Sequence, residues 1–379
     1  FMGTARVPEK MFDVWMENEG AWNNAWTDND RTDYHEVGPS HSLPLLLWLE
    51  ADRLATLGSQ IDQAKLDTQR GVVQNERRQQ TENQPYGVAE LRLPELLFPE
   101  GHPYHHPVIG SHEDLTAATV ADVRAFFDQH YVPARTSLVV AGDFDPTEIT
   151  PLIERWFGAI PKAKDAARLS PPSPPELSAL VRETLEDAGT LPKVIMAWHS
   201  PAAYGPGDAE LDLLGEIMTS GKASRLYKSL VYDKKIAQSV AAYQASMRLG
   251  SHFNVEVVAR PGIELSAIER EVDEVLAELR RSPVSQAELD RAKNQYEAAF
   301  IGRMQSLATR AELLNRYQSA RDDPGWASQD LARYLDATPA ALLKTAQQVL
   351  DPPRRVILEV VPTALAEAPQ PATHEGGSP

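Results

Sequence analysis

The chain has ten histidines, the side chains most often used with carboxylates to bind zinc, but they form no familiar zinc motif. Neither His-Glu-x-x-His nor the inverted His-x-x-Glu-His occurs. The nearest approach is His102 and His106, whose spacing of four residues would align two rings on one helix face. A proline follows each of them, Pro103 and Pro107, and no glutamate is placed to act as a general base. We therefore expect these histidines to build a structured loop.

A glutamate follows a glutamine by seven residues in a segment with helical periodicity. At 100° per residue, Gln69 and Glu76 project within about 20° of each other, and Val72 and Val73 share that side. A carboxylate on a partly apolar helix face requires a cation, a hydrogen-bond donor or a metal ion to offset its desolvation. The simpler interpretation is a solvated Glu76 paired with a neighbouring arginine. Periodicity alone leaves both interpretations open.

Two tryptophans and an asparagine alternate in the predicted strand 21–27. The alternation places Trp22, Asn24 and Trp26 on one face of the strand. On an accessible strand, such a face could bind an extended peptide that pairs with the strand edge. The simpler interpretation is that the two tryptophans belong to the core.

Composition and motifs exclude several other classes of function. No phosphate-binding loop, dinucleotide fingerprint or serine-nucleophile elbow occurs in the sequence. The absence of cysteine excludes disulfides, iron–sulfur clusters and thiol nucleophiles. The formal net charge of -17 argues against a nucleic-acid partner, which requires clustered lysine and arginine. No apolar run approaches the roughly 18 residues of a membrane span, so no membrane-spanning helix is expected.

The elements that must position these residues are helices and strands in blocks, without regular alternation. The predicted strands are 21–27, 32–37, 137–141, 236–245, 252–259 and 356–360, and the predicted helices include 66–82, 209–218, 224–232, 263–281 and 286–316. Such blocks are typical of an α+β fold, in which helices pack on a mainly antiparallel sheet.

The two halves of the chain resemble copies of one design. Thr119 and Thr338 each open a predicted helix that a proline ends and a strand follows, and the corresponding residues are 219 apart. Between the halves, the prolines of Leu169–Glu176 favour an extended linker. We predict a first domain over residues 1–168, a linker over residues 169–178, a homologous second domain over residues 179–362 and a disordered tail over residues 363–379.

Several segments together resemble the pitrilysin/insulinase (inverzincin) family of zinc metallopeptidases, in particular its small bacterial, processing-peptidase-like subunits. The motifs are individually weak, and their order and spacing along the chain make the resemblance specific. The matching segments are Phe1–Thr4, Asn24–Thr27, Thr32–Tyr34, Leu49–Leu54, Val73–Arg78, Pro85–Gly87, Gly101–Gly110, Tyr131–Pro133 and Gly221–Tyr227.

The resemblance implies two homologous α+β domains that face each other like a clam shell. It also implies Zn²⁺ held by two histidines of an inverted His-x-x-Glu-His helix and by a distal glutamate, with the glutamate of the motif as general base. By this resemblance Glu76 is the distal zinc ligand, and Gln69 stands where many active relatives carry an accessory glutamate. The residues that match the substrate-binding edge strand are Asn24, Ala25, Trp26 and Thr27.

The chain departs from the family pattern at the catalytic motif. No inverted motif lies within the 379 residues, so the resemblance places both histidines and the base upstream of Phe1. A single carboxylate does not hold zinc at catalytic affinity, because catalytic sites use three protein ligands. We therefore expect this chain alone to be inactive toward peptides.

A second departure concerns the partner subunit. In paired bacterial relatives, a second homologous subunit carries an Arg…Tyr pair, seven residues apart, and those positions here are Val231 and Gln238. The resemblance therefore implies a zinc endopeptidase subunit, expected in the periplasm, that works with a partner carrying the Arg/Tyr pair. The alternative is a non-catalytic family member that binds a peptide or a partner protein as a scaffold. Glu76 favours the first hypothesis and Gln69 favours the second.

Overall fold

The computed structural model describes residues 3–161, 172, 175–189 and 191–363. Phe1 and Met2, half of the predicted linker and the predicted tail beyond Thr363 lie outside these residues. The described chain contains a two-stranded sheet and a five-stranded sheet, and helices pack against both. The predicted α+β class is therefore confirmed.

The described part of the first half is mainly helical and has one β-hairpin. Its elements are α1 (Met11–Asn18), β1 (Trp22–Thr27), β2 (Thr32–Val37), α2 (Leu43–Thr56), α3 (Gln63–Arg77), α4 (Gly87–Leu97), α5 (His112–Ala117), α6 (Val120–His130) and α7 (Pro146–Phe157). A π-helical turn, Arg78–Glu82, continues α3 toward α4. Strands β1 and β2 are antiparallel, with Trp22 opposite Val37 and Thr27 opposite Thr32.

The second half contains the larger sheet. Its elements are β3 (Val181–Asp187), β4 (Lys193–Ser200), α8 (Asp208–Thr219), β5 (Ala237–Ala245), β6 (Ser251–Ala259), α9 (Leu265–Arg281), α10 (Gln286–Arg303), α11 (Leu307–Arg321), α12 (Ala327–Leu335), α13 (Pro339–Val349) and β7 (Val356–Pro362). None of the helices described in either half is long and apolar enough to cross a bilayer.

The five-stranded sheet is apolar on both faces. Its order is β3-β7-β4-β6-β5, with β3 and β7 parallel and the other neighbours antiparallel. Because side chains alternate along a strand, Val194, Met196 and Trp198 of β4 face one way and join a core with α8, α9 and α13. Ile195 and Ala197 face the other way and are also buried. Both faces of the sheet must therefore be covered.

Helix α4 from the first half covers the second face of this sheet. Leu93 and Leu97 of α4 form one buried cluster with Ile195, Ala197 and Leu358. Burial of one leucine side chain contributes about 1.5–3 kcal/mol to the free energy of folding. Because the cluster joins residues from opposite halves of the chain, it ties the two halves together.

Three predicted elements differ from the structure. Residues 137–141 do not form a strand, because their backbone has no ladder partner among the described residues. The predicted helix 286–316 is two helices, α10 and α11, and the Ser306 hydroxyl caps the second by accepting the Thr309 N–H. The predicted helix 224–232 is mainly a π-helical turn, Tyr227–Asp233.

The helix starts that define the proposed repeat are where the sequence predicts them. The Thr119 hydroxyl accepts the Asp122 N–H at the start of α6, and the Thr338 hydroxyl accepts the Ala341 N–H at the start of α13. Each bond satisfies a backbone donor that the helix itself leaves unpaired. The domain boundaries stay a prediction.

Gly87 marks a close contact at the start of α4. The preceding residue, Tyr86, has a left-handed φ of 68°, and its N–H donates to the Asp187 carboxylate at 3.1 Å. A Cβ atom at Gly87 would lie 1.7 Å from the carbonyl oxygen of Thr81. The approach of α4 to the π-helical turn therefore requires glycine at this position.

Two glycine substitutions should change stability in opposite directions. Gly87→Ala should lower the free energy of unfolding by about 1–3 kcal/mol, because the backbone of α4 or of the turn must shift. Gly71→Ala, in the middle of α3, is the matched control, since its Cβ would meet nothing within 4 Å. It should raise the free energy of unfolding by about 0.5–1 kcal/mol through helix propensity. Urea unfolding of both variants checks this, and a loss of the same size in both would contradict the packing argument.

Candidate functional site

One side of α3 is fixed by arginines that hold it to the neighbouring backbone. The Arg70 guanidinium donates to the carbonyl oxygens of Leu115 and Ala118, each at 2.7 Å. The Arg77 guanidinium donates to Glu82 at 2.7 Å. Because these bonds lie along one side of the helix, they set its rotation about its own axis.

A different side of α3 carries the candidate zinc ligand. At 100° per residue, the face of Gln69, Val72 and Glu76 lies roughly 120° around the helix from Arg70 and Arg77. Val72 on this face is 51% exposed. Glu76 is also exposed, and its carboxylate has no hydrogen-bond or ion-pair partner among the described residues.

The arginines next to Glu76 are engaged elsewhere. Arg77 pairs with Glu82, and the Arg78 guanidinium donates to the Asn75 side chain at 3.0 Å. Glu76 is therefore solvated as the simpler interpretation expects, but it is not paired with a neighbouring arginine. Gln69 lies partly buried on the same face, two helical turns earlier.

Strand β1 carries the four predicted substrate-binding residues along an open edge. The Asp28 N–H donates to the Arg31 carbonyl at 3.0 Å and closes the hairpin. The alternation of an antiparallel ladder then turns the N–H groups of Ala25 and Thr27 away from β2. In agreement, the Ala25 N–H donates to the side chain of Asn24 at 2.8 Å. The outer edge of β1 therefore presents backbone groups that no neighbouring strand in the described residues uses.

The tryptophans of β1 lie at the surface of the hairpin. Trp22 is 51% exposed and contacts the His35 ring edge-on, with 5.7 Å between centroids. Trp26 is partly buried under the Arg31 guanidinium, which lies 4.6 Å from its ring centroid. The expectation that the two tryptophans form core is wrong for Trp22.

The other face of the hairpin covers a buried group of charged residues. The Arg53 guanidinium of α2 lies 3.6 Å over the ring of Tyr34 and pairs with Glu50. Burial, together with the nearby charge of Glu50, raises the pKa of the Glu36 carboxyl to about 9. Glu36 therefore keeps its proton at neutral pH and can donate a hydrogen bond to Glu50.

Sequence reasoning missed this group of Tyr34, Glu36, Glu50 and Arg53. The available signals were the i, i+3 spacing of Glu50 and Arg53 and the two-residue spacing of Tyr34 and Glu36 in β2. Neither signal shows that α2 and β2 meet, because that contact is formed by the tertiary fold.

The predicted residues lie on elements that have different main packing partners. Helix α3 packs against α5 and the π-helical turn, whereas β1 packs against β2 and α1. Val231 lies partly buried in the second π-helical turn, and Gln238 lies exposed at an irregularity in β5. The loop with His102 and His106 has no helix, as the sequence predicts.

The described residues do not fit a complete zinc site. No three His, Asp or Glu side chains among them are grouped so that they could hold a metal ion. A catalytic zinc takes three protein ligands at about 2.0–2.2 Å when these are histidine and carboxylate. Glu76 has the chemistry and exposure of one such ligand, and the set is incomplete without others.

Comparison with known proteins shows similarity to M16 peptidases. The family model described as "Peptidase M16 inactive domain" matches residues 117–296. The zinc protease PqqE of Helicobacter pylori is 26% identical over 350 residues, which cover 92% of this chain and 78% of that protein. The chain is similar to the pitrilysin/insulinase (M16) peptidases over most of its length. The resemblance predicted from ordered weak motifs is confirmed.

Two solved structures share the fold of this chain. A protease from Helicobacter pylori has a TM-score of 0.88 at 24% identity, covering 96% of this chain and 86% of that one. The first half of the periplasmic protease PqqL from Escherichia coli has a TM-score of 0.74 at 19% identity, covering 95% and 80%. At these identities the likeness shows the fold alone, and it confirms the predicted M16 fold class.

Glu36→Gln should make the chain more stable above neutral pH. In the native state Glu36 stays protonated up to about pH 9, whereas in the unfolded chain it ionises near its ordinary pKa of 4.5. Stability contributed by this proton is therefore lost as pH rises between these values. Glutamine keeps a donor for Glu50 without ionising, so the gain at about pH 8 should be at least about 1 kcal/mol.

Urea unfolding at several pH values measures this effect. Glu17→Gln, an exposed position on α1, is the control and should leave the pH profile unchanged. A Glu36→Gln profile parallel to that of the unmodified chain would show that Glu36 ionises normally.

Proposed function

We propose that this chain is part of a zinc-dependent M16 endopeptidase subunit that cleaves extended peptides. In this proposal β1 binds the peptide, Glu76 is the distal zinc ligand, and a His-x-x-Glu-His segment preceding Phe1 contributes the other ligands and the base. A second homologous subunit carrying an Arg/Tyr pair completes the active enzyme. The periplasm is the proposed compartment, and the fold shared with a protease described as periplasmic supports it.

The observation that carries the proposal is that the Glu76 carboxylate has no partner in the described part of the chain. Arginines flank it in sequence, yet each has another partner. A carboxylate that only stabilised the helix would gain from pairing with one of them. The exposure of Glu76, on the side of α3 left free by Arg70 and Arg77, suits a group that binds an ion brought by another segment.

The edge of β1 supports the peptide-binding part of the proposal. A peptide that adds to a sheet edge gains backbone hydrogen bonds independent of its side chains. The Ala25 N–H points outward, and in the free protein it donates a hydrogen bond to the Asn24 side chain. Trp22 and Trp26 would supply apolar contact beside the bound peptide.

A non-catalytic, scaffolding role is the second candidate. Gln69 replaces the accessory glutamate that the family resemblance expects, and the matching family model is described as an inactive domain. Such a protein would bind peptide at β1 without needing Glu76. The two candidates therefore differ in what Glu76 does and agree on what β1 does.

Zinc binding by the intact gene product separates the two candidates. Glu76→Gln should weaken zinc affinity at least about a hundredfold, because the change removes a charged ligand from a three-ligand site. Competition with a chelator measures the affinity. Glu113→Gln, an exposed carboxylate on the neighbouring α5, is the control and should leave the affinity unchanged.

Two outcomes would contradict the peptidase proposal. One is equal zinc affinity of the unmodified protein and Glu76→Gln, which would favour the scaffold. The other is zinc-dependent peptide cleavage by the purified 379-residue chain alone, which the incomplete ligand set forbids.

Peptide binding at β1 can be tested with proline substitutions on the two edges of the same hairpin. Ala25→Pro removes an outward N–H without breaking the β1–β2 ladder, and should weaken binding roughly tenfold or more. Thr32→Pro is the matched control, because its N–H lies on the outer edge of β2. Fluorescence anisotropy with a labelled, unfolded basic peptide of about fifteen residues measures both. Equal affinities of the two variants would place the peptide elsewhere.

A further inference from the structure

Three histidines surround one phenylalanine where the first half of the chain meets the large sheet. His102, His199 and His252, here called the histidine cluster, have ring centroids 4.8, 5.6 and 6.4 Å from that of Phe98. His199 and His252 are directly opposite each other on β4 and β6. His102 comes from the loop after α4, so the cluster spans the contact between the two halves.

The ring of His102 makes one hydrogen bond, at Nδ1, which requires its neutral form, and its Nε2 is buried with no partner among the described residues. Its Nδ1 accepts the Tyr104 N–H at 3.0 Å, so the single ring proton is on Nε2. Uptake of a second proton at Nδ1 would turn this acceptor into a donor facing another donor. The ring is buried, with 4% of its surface exposed, so water cannot replace the lost bond in place.

His199 is restricted in a similar way. Its Nε2 lies 2.6 Å from the Leu97 carbonyl oxygen, which can only accept, so Nε2 carries the proton. Its Nδ1 is buried with no hydrogen-bond partner among the described residues. A proton added at Nδ1 would therefore lack an acceptor. Burial lowers the pKa of His102, His199 and His252, and the nearby His252 and His102 lower that of His199 further.

The cluster supports a tyrosine that holds the tip of the hairpin. Tyr104 is 1% exposed and contacts the Phe98 and His102 rings edge-on. Its hydroxyl donates to the Asp30 carboxylate, in the turn between β1 and β2, and accepts the Leu249 N–H at 2.9 Å. The second Asp30 oxygen accepts the Arg248 N–H at 2.9 Å. The turn of the hairpin is thereby tied to the β5–β6 turn of the second half.

We propose that the histidine cluster and Tyr104 form an acid-sensitive latch, closed at neutral pH, that fixes the β1–β2 hairpin to the second half of the chain. In the released state the histidines are hydrated and protonate near their ordinary pKa of about 6.5. Protons therefore bind more strongly to the released state, and the latch weakens as pH falls below about 6.5. Each proton taken up on release shifts the equilibrium by about tenfold per pH unit.

The other charged groups around the cluster do not cancel this effect. They are Asp30 and Arg31 in the hairpin turn, His105 in the loop, Glu176, Arg248, Glu256 on β6 and Glu312 on α11. Glu176 and Glu256 raise the pKa of His199 and His252, respectively, but burial has the larger, opposite effect. The Asp30 carboxylate accepts hydrogen bonds from the Tyr104 hydroxyl and the Arg248 N–H, so it is released together with the cluster.

The absence of cysteine allows a direct distance measurement. Spin labels at Asn29→Cys in the hairpin turn and Ser266→Cys on α9 occupy exposed positions on the two sides of the latch. Double electron–electron resonance should give a narrow distance distribution at about pH 7.5 and a broader, longer one at about pH 5. The change should reverse when the pH is restored. An identical distribution at both pH values would overturn the proposal.

Neutral substitutions should remove the pH dependence. His102→Asn, His199→Gln and His252→Asn place an amide near each bonded ring nitrogen. The distance distribution of the combined variant should therefore stay narrow at both pH values. His41→Gln, at a surface histidine whose side chain is 66% exposed, is the control and should behave like the unmodified chain. If the distance distribution of the combined variant broadened at about pH 5 as much as that of the unmodified chain, the role of the cluster would be contradicted.

Two single variants keep the proposal testable if the combined variant does not fold. Tyr104→Phe removes the hydroxyl that joins Asp30 to Leu249, so its distribution should be broad already at about pH 7.5. His199→Gln alone should move the transition to lower pH, because one fewer proton drives release. A narrow distribution for Tyr104→Phe, or an unchanged midpoint for His199→Gln, would refute the latch. Circular dichroism verifies that each variant is folded.

Discussion

The packing of α4 on the large sheet determines where the rest of the first half lies. Strand β4 is apolar on both faces, and the helices of its own half cover only one of them. The second face is covered by a helix that comes from the other half of the chain. At its start α4 touches the turn that continues α3, through Gly87, and at its end it presents Phe98 to the histidines of the sheet. One apolar contact therefore orients both the helix of Glu76 and the loop that holds the hairpin tip.

Both α3 and the hairpin have one side that is held by the fold and another side that is exposed. Arg70 and Arg77 bind backbone and side-chain acceptors on one side of α3, which leaves the other side to Gln69 and Glu76. The hairpin follows the same pattern. Its inner face is buried on α2 with a protonated Glu36, while its outer edge and Trp22 are exposed. Of the residues that the family resemblance marks for peptide and metal, Glu76 is the one whose side chain has no partner among the described residues.

Local patterns in the sequence were sufficient for the elements that carry the candidate site. The alternation in β1 and β2, the periodicity of α3 and the caps at Thr119 and Thr338 depend on neighbouring residues, and all are present. Contacts between residues far apart in the sequence could not be predicted from local patterns. Residues 137–141 have the composition of a strand, but a strand also requires a partner. The prolines around His102 indicated a loop, but nothing in that segment indicates that His199 and His252 lie beside it.

The open edges of the hairpin have a consequence for the behaviour of the chain in solution. Both β1 and β2 expose backbone donors and acceptors, and residues 137–141 add an apolar segment of high β propensity. Surfaces of this kind favour edge-to-edge association between copies. The net charge of -17 opposes it by electrostatic repulsion, which salt screens over about 8–10 Å at ordinary ionic strength. Colloidal stability of the purified protein is thus a balance between sheet edges that attract one another and acidic surfaces that repel.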